Sequence, residues 1–225
     1  MTRKQVLLSW SGGKDSALVL WTLQQKNGPR VDALVTTVTA SYDRISMHGI
    51  RRSILDAQVS RLGLPVVEVS IEPGATNDDY ERAFIAGLDQ ARAATNDDSI
   101  VAFGDLFLRD VRDYREQLLA RHGWKPDFPL WLRDTTDLAS EFIAAGFRAI
   151  LCCVDTAQLS ADFSGREFDE QLLRDLPAGV DPCGERGEFH TCVYAGPVFS
   201  SPIALVRGER VLRDNRFEYC DLLLT

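Results

Sequence analysis

The sequence predicts an α/β protein with a doubly wound, mostly parallel sheet, followed by a smaller α+β C-terminal domain. Short strand-like runs alternate with amphipathic, helix-like segments through the first half of the chain, which is the pattern of right-handed βαβ crossovers. A glycine-rich loop joins the first strand to the first helix, and Pro126 and Pro129 interrupt the alternation. The 225 residues can bury two modest cores. We therefore expect one domain over residues 1–125 and a second over residues 126–225.

Hydrophobic periodicity places four strands and four helices in the first half. Continuous apolar or Val- and Thr-rich runs predict strands at residues 6–8, 31–39, 66–71 and 100–103. Apolar residues at helical spacing predict helices at residues 16–25, 50–62, 77–91 and 110–121. Asn77 is expected to cap the third helix, and Gly63 is expected to end the second.

The second half mixes both kinds of element without a regular alternation. Helices are predicted at residues 134–145, with Gly146 as the stop, and at residues 168–176. Strands are predicted at residues 148–154, 191–194, 203–206 and from residue 211 onward, with a turn at Gly208. This texture is typical of a small α+β unit.

The distribution of charge argues against a nucleic-acid substrate. The net charge is −8. Residues 1–125 carry 16 basic and 16 acidic side chains, whereas residues 126–225 carry 9 basic and 17 acidic ones, so the excess acidity lies in the second part. Proteins that bind nucleic acid usually present a basic face, and no basic block occurs here.

Cysteine content and hydropathy indicate a cytoplasmic protein. Five cysteines without a C-x-x-C motif offer neither a disulfide scaffold nor a zinc or dithiol site. The apolar run near the start is too short for a secretory signal, and the longest charge-free stretch is broken by Gly, Pro and Ser.

The most informative segment is the loop Ser-Trp-Ser-Gly-Gly-Lys-Asp-Ser at residues 9–16. The carboxyl end of a parallel strand opens onto the crevice where ligands bind, and the next helix presents unpaired N–H groups there. Two glycines let several N–H groups point at one anion, Lys14 adds a positive charge, and Asp15 is a candidate Mg²⁺ ligand. The spacing is that of neither Walker A nor G-x-G-x-x-G. We expect a phosphate or pyrophosphate to be bound by Ser9, Ser11, Gly12, Gly13, Lys14, Asp15 and Ser16; a plain turn between strand and helix is the alternative.

A second polar cluster contains Glu185, Glu188 and His190. If a strand begins at Phe189, Glu188 and His190 point to the same face, because side chains alternate along a strand. A carboxylate beside an imidazole can move a proton or bind a cationic acceptor. The alternative is a polar loop with surface carboxylates.

Two further positions are expected near the same ligand. Gly104 and Asp105 end the fourth strand on the ligand side of a parallel sheet, which favours a site role for Asp105. His48 follows the second strand and either approaches the nucleotide or serves as a surface or capping residue.

The loop Ser11-Gly-Gly-Lys-Asp-Ser16 resembles the PP-loop of the adenine nucleotide alpha hydrolase superfamily, the ATP pyrophosphatases. Gly104-Asp105, Pro129-Leu130-Trp131, Gly-Glu-Arg-Gly-Glu-Phe-His-Thr at residues 184–191 and Gly196-Pro197 are similar to the diphthine–ammonia ligase family. The matching segments span about residues 5–200. The chain departs from the family pattern at residues 105–117, so a different acceptor is an alternative.

This resemblance implies a HUP/PP-loop-type domain with a five-stranded parallel sheet that binds ATP and Mg²⁺, and a second domain that holds the acceptor. The family reaction adenylates a carboxylate, releases pyrophosphate and forms an amide with ammonia; its acceptor is diphthine, a modified His on elongation factor 2. The implied catalytic residues are Lys14, Asp15, Glu188 and His190. Glu185 joins the last two on the acceptor side, and Asp15 binds the metal. A homodimer without nucleic-acid or membrane partners is expected.

Three alternatives stay open at this point. One is another PP-loop reaction, such as tRNA thiolation or lysidine-type modification. The second is ligase chemistry on a different, small-molecule carboxylate, and the third is nucleotide binding without turnover.

Overall fold

Two β-sheets form the framework of the protein, which a computed structural model describes for residues 5–25, 30–92 and 99–225. The six-stranded first sheet contains β1 Gln5–Ser9, β2 Val31–Thr39, β3 Arg44–Ile45, β4 Val66–Ile71, β5 Ser99–Ala102 and β6 Lys125–Asp127. Its helices are α1 Lys14–Gln25, α2 Arg52–Leu62, α3 Asn77–Arg92 and α4 Arg109–Arg121. The second sheet contains β7 Arg148–Asp155, β8 Phe189–Ala195, β9 Leu205–Arg213 and β10 Phe217–Leu224, accompanied by α5 Thr135–Ala144 and α6 Glu170–Asp175.

The first sheet is mostly parallel, as predicted. The strands β4, β2, β1, β5 and β6 pair in parallel in that order, because Leu34 and Val35 of β2 pair with β1 on one side and with β4 on the other. The short strand β3, which the sequence did not predict, pairs antiparallel with Val38 and Thr39 at the end of β2. It therefore lies beyond the carboxyl end of β1, beside the glycine loop.

Both faces of this sheet are covered, which confirms the doubly wound architecture. Alternate residues of β1 point to opposite faces. Val6 and Leu8 belong to a core shared with α1, α2 and the second sheet, whereas Leu7 belongs to a core shared with α3 and α4. The first core is continuous from one sheet to the other, so the two sheets pack directly together. The division of the chain at residues 125 and 126 stays a prediction.

The second sheet is antiparallel, with the strand order β8-β7-β10-β9, and together with α5 and α6 it forms the smaller α+β part. The turn predicted at Gly208 is wrong. Gly208 lies within β9, in a bulge opposite Asp221, and the chain turns instead at Asp214 and Asn215, which both have positive φ. A glycine inside a strand often marks a β-bulge, and Gly208 does so here.

The prediction that Gly63 ends α2 is confirmed, since it adopts the left-handed conformation there. Asp134, predicted as the first residue of a helix, instead caps α5 by accepting two backbone N–H groups. The prediction that Asn77 caps α3 is wrong, because Thr76 and Asp79 exchange hydrogen bonds as a capping box and Asn77 is already helical.

All five cysteines are free and buried. In the parts of the chain that the structure describes, none of the helices combines the length and apolarity needed to cross a membrane.

Candidate active site

A pocket of about 230 Å³ lies at the carboxyl ends of β1 and β5. The chain leaves β1 toward β2 on one side and returns as β5 on the other, so this is the switch point at which ligands bind in open α/β sheets. Ten residues that the sequence predicted as site residues line it: Ser9, Ser11, Lys14, Asp15, Ser16, His48, Gly104, Asp105, Glu185 and His190. Gly12, Gly13 and Glu188 are outside this lining.

The glycine loop is shaped by Gly12, which has φ +76°. A Cβ at Gly12 would lie 2.9 Å from the Gln58 side-chain oxygen, so any larger residue would collide there. A Cβ at Gly13 would meet His48 Nε2 and the Thr191 carbonyl oxygen, each at 3.2 Å. The two glycines thus do not line the pocket themselves; they let the loop pack tightly against the structure behind it.

The second sheet fixes this loop from behind. The Lys14 N–H donates to Thr191 Oγ1 at 3.0 Å, and the Val193 N–H donates to the Gly12 carbonyl oxygen at 2.9 Å. The Gln58 side-chain amide donates to the Gly12 and Val193 carbonyl oxygens, at 3.0 and 2.7 Å. Both halves of the chain therefore build the loop conformation.

The start of α1 has the properties of an anion site. Among the described residues, the N–H groups of Asp15 and Ser16 have no acceptor, and both residues line the pocket. Ser16 Oγ donates to the Gly13 carbonyl oxygen and lies 3.3 Å from Ser11 Oγ. Free N–H groups at a helix N-terminus, hydroxyls and a nearby lysine are a fitting donor set for phosphate oxygens.

The cation of the site is held at the pocket floor. Lys14 is 2% exposed, and its Nζ lies 2.6 Å from Asp15 Oδ1. Burial by itself would lower the pKa of Lys14, but the negative charges around it, Asp15 first, outweigh burial and raise the pKa to about 12. Burial raises the pKa of the Asp15 carboxyl, although 29% of its side chain is exposed and its contact with Lys14 lowers the pKa.

The carboxylates of the pocket also fit a magnesium ion that is shared with the phosphates of a nucleotide. Asp15 presents a partly exposed carboxylate beside the free N–H groups, and Asp105 faces the same pocket. Among the described residues, no group of three or more His, Cys, Asp or Glu side chains could hold a metal by itself. Magnesium in phosphate sites uses one or two carboxylates and completes its shell with phosphate oxygens and water.

The end of β5 forms the wall opposite α1. A Cβ at Gly104 would lie 3.1 Å from the Asp15 Cβ, so only glycine allows this close approach. Asp105 lines the pocket as predicted and pairs with Arg115 of α4, with Nε and Oδ2 2.8 Å apart. Arg115 was not predicted as a site residue, because α4 has the sequence pattern of an ordinary charged helix.

Glu185 closes the pocket from the second sheet. Its Oε1 accepts the N–H groups of Leu106 and Phe107, at 2.7 and 3.3 Å, and thereby joins the loop before β8 to the loop after β5. Burial raises the pKa of Glu185 to about 7, although these backbone hydrogen bonds oppose the rise.

Glu188 does not share the pocket with His190, contrary to the prediction. It precedes β8, is 2% exposed, and its carboxylate accepts the N–H groups of Asp181 and Arg186, each at 2.9 Å. Its carboxylate is therefore committed to holding the loop before β8. The strand begins at Phe189, as supposed, but Glu188 precedes it, so the alternation of strand side chains does not extend to Glu188.

Two imidazoles meet at the pocket wall. The ring centres of His48 and His190 are 4.5 Å apart, and both residues line the pocket. Burial lowers the pKa of His190 to about 4, and burial and His190 lower that of His48 well below its usual value. Both rings are therefore neutral at pH 7. Their contact was not predictable, because β3 brings His48 to this wall.

Further residues of the site were missed for different reasons. Thr191 belongs to a segment singled out by its resemblance, but its bond to the loop depends on sheet packing. Gln58 is a polar residue on the same helix face as Ile54 and Leu62, which was the only available signal. Cys183 lines the pocket and donates to the Thr135 carbonyl oxygen, and no pattern distinguished it.

Comparison with known proteins identifies the family. The model of the diphthamide synthase N-terminal domain matches residues 3–126, and that of the diphthamide synthase C-terminal domain matches residues 134–222. The chain belongs to the diphthamide synthase family. A diphthine–ammonia ligase from Danio rerio is 27% identical over 225 residues, covering 91% of this chain and 88% of that protein.

A further relative of this diphthamide synthase family member is matched over a smaller share of each chain. A diphthine–ammonia ligase from Schizosaccharomyces pombe is 30% identical over 137 residues, covering 58% of this chain and 22% of that protein. A solved structure described as a "predicted subunit of tRNA methyltransferase" from Methanocaldococcus jannaschii is similar at 18% identity and a TM-score of 0.42, covering 86% of this chain and 98% of that one.

The raised pKa of Glu185 predicts that the stability of the folded protein depends on pH. Its pKa rises on folding from 4.5 to about 7, so the stability that its protonated form contributes is complete below about pH 4.5 and is lost as the pH rises through about 7. Glu185→Gln keeps the shape without titrating. The difference in free energy of unfolding should therefore shift in favour of the variant between about pH 5 and about pH 8.

Chemical denaturation of both proteins at each pH measures this difference, and groups common to both cancel. An unchanged difference across this range would contradict the prediction.

Proposed function

We propose that this protein is an ATP-dependent amide ligase that forms AMP. A carboxylate oxygen of the acceptor attacks the α-phosphorus of ATP, and the bond to pyrophosphate breaks. Ammonia then attacks the acyl carbon, the bond to AMP breaks, and the nitrogen loses a proton. The observation that carries this proposal is the free N–H nest above buried Lys14 at the switch point, in a chain of the diphthamide synthase family.

The residues of the loop act mainly by position and charge. The N–H groups of Asp15 and Ser16, the serine hydroxyls and Lys14 would hold the phosphates, and Asp15 would hold Mg²⁺. Bound there, Mg²⁺ supplies charge neutralisation on the phosphate oxygens. Because the loop is fixed by β8 and Gln58, its donors need little reorganisation when charge develops at the α-phosphate.

The acceptor side is assigned to pocket residues of β8 and of the loop before it. Burial keeps the His190 imidazole neutral at pH 7, so it can accept a hydrogen bond from the attacking nitrogen, while its lowered pKa makes it a weak base. Glu185, whose pKa lies near 7, is the better-matched acceptor for the proton that this nitrogen loses, and it faces the same pocket. We assign Glu188 a positioning role instead, since both of its oxygens bind backbone N–H groups.

The acceptor stated in the name of the relatives is diphthine. We propose a diphthine-like carboxylate for this chain, with the modified His of elongation factor 2 as the macromolecule that carries it. An ATP-consuming reaction and five free cysteines are consistent with the cytoplasm.

The decisive experiment uses α-labelled ATP with Mg²⁺, ammonium and a panel of carboxylates that includes diphthine-bearing elongation factor 2. The expected products are labelled AMP and unlabelled pyrophosphate, in amounts equal to the amide formed. ADP in place of AMP would exclude adenylation. ATP binding without formation of either AMP or ADP would show that the protein is a nucleotide-binding module without turnover. Tight tRNA binding with a steep salt dependence would favour tRNA modification.

A further inference from the structure

We infer that Arg115 binds a phosphate group of the nucleotide, and that Asp105 holds Arg115 in place until the nucleotide arrives. The inference rests on the proposed function, since it requires ATP in the pocket at α1. It adds a residue that neither the sequence nor the resemblance assigned, and it gives Asp105 a defined role.

Arg115 and Asp105 are in ionic contact without being satisfied by it. Nε and Oδ2 lie 2.8 Å apart, and the two side chains are 25% and 11% exposed. Both atoms are buried, yet neither completes a hydrogen bond, so the N–H does not point at the oxygen. A buried donor and a buried acceptor left in this state are costly, and a better-placed partner would relieve both.

Arg115 is anchored at a point from which its guanidinium can change partner. Its central carbon lies 4.3 Å from the ring centre of Phe103, which is fully buried and lines the pocket. The Phe103 ring is in turn stacked on Phe128, with centres 5.7 Å apart. Arginine keeps such a stacking contact while its planar donors turn to a phosphate.

The pocket needs this change if it is to hold a triphosphate. Its two fixed cations, Lys14 and Arg115, are each paired with a carboxylate, Asp15 and Asp105. In this arrangement the pocket has no excess positive charge, and Glu185 adds a further acidic group. A polyanion therefore gains most by taking Arg115 away from Asp105, because the Asp105 carboxylate then remains beside Asp15 to face Mg²⁺.

Calorimetric titration with metal-free pyrophosphate and, separately, with ATP and Mg²⁺ tests the inference. Arg115→Ala should weaken both affinities about 10- to 100-fold, as expected for the loss of charge-assisted hydrogen bonds. Arg115→Lys should fall in between, because it keeps the charge and loses the planar donors. Asp105→Asn should tighten metal-free pyrophosphate binding about three- to tenfold, because it frees Arg115.

Arg148→Ala is the matched control. Arg148 also stacks on an aromatic ring, that of Tyr194, but it lies outside the pocket lining, so both affinities should stay at the wild-type value. Thermal melting identifies any variant that does not fold. If Arg115→Ala does not fold, Arg115→Lys and Asp105→Asn provide the test.

The outcomes separate this inference from the proposed function. If wild type binds ATP and Arg115→Ala or Arg115→Lys binds it equally well, Arg115 is not a phosphate ligand. Weaker pyrophosphate binding by Asp105→Asn would overturn the restraining role of Asp105. If wild type binds neither ATP nor pyrophosphate, the proposed function falls and this inference falls with it.

Discussion

Replacing Lys14 by Met is expected to abolish AMP formation. The Nζ group is the cation beneath the free N–H groups at the start of α1, and it is held there by Asp15 at 2.6 Å. Removing one preorganised charge from a phosphate site costs about 10²–10³-fold in turnover. We expect ATP affinity to fall as well, since the same charge faces the bound ground state. Single-turnover AMP formation and calorimetric ATP binding measure the two effects.

The variant also leaves Asp15 without its partner, which lowers stability by itself. Lys14→Met with Asp15→Asn removes both charges together and should recover much of the lost stability while AMP formation stays absent. Recovery of AMP formation in this double variant would show that Lys14 acts on the fold and not on the phosphates. Wild-type ATP affinity in the single variant would lead to the same conclusion.

Replacing Gln58 by Leu is expected to destabilise the protein by about 2–4 kcal/mol. Gln58 is fully buried, accepts the Trp10 indole N–H at 3.0 Å, and donates to the Gly12 and Val193 carbonyl oxygens. Leucine fills a similar volume but satisfies none of these groups, and the indole N–H is left buried without an acceptor. ATP affinity should fall too, because the loop carbonyl at Gly12 loses one of its two donors.

Chemical denaturation measures this loss, with Gln117→Leu as the control. Gln117 is exposed on α4, so its replacement should change stability by less than about 0.5 kcal/mol. Trp10→Phe made in the Gln58→Leu background should cost less than Trp10→Phe alone, because the orphaned N–H is then gone. Additive costs would show that the indole bond contributes nothing to the loop.

The fold class was accessible from the sequence because its signals are local. Alternating strand and helix periodicities determine a doubly wound sheet through the handedness of the crossovers. The position of the loop at residues 9–16, between the first strand and the first helix, also determined where a ligand would bind. Hence most of the predicted site residues line a single pocket, even though Ser9 and His190 are far apart in the chain.

Sequence features whose role depends on contacts with other residues were predicted less accurately. Gly208 appears in the sequence as a turn residue, but β10 pairs on both sides of it and makes it part of a bulge. Asn77 and Thr76 are both good capping residues, and only the reciprocal hydrogen bonds with Asp79 decide between them.

The sequence by itself determined the mostly parallel sheet and the position of the loop, because these depend on spacing along one chain segment. The phosphate ligand that the loop suits stays a prediction. Only the tertiary structure decided which carboxylate faces the pocket, since Glu185 and Glu188 differ in their backbone partners and not in type. It also decided that His48 meets His190 and that Arg115 pairs with Asp105. Such contacts join elements far apart in sequence, and their geometry is set by how the two sheets pack.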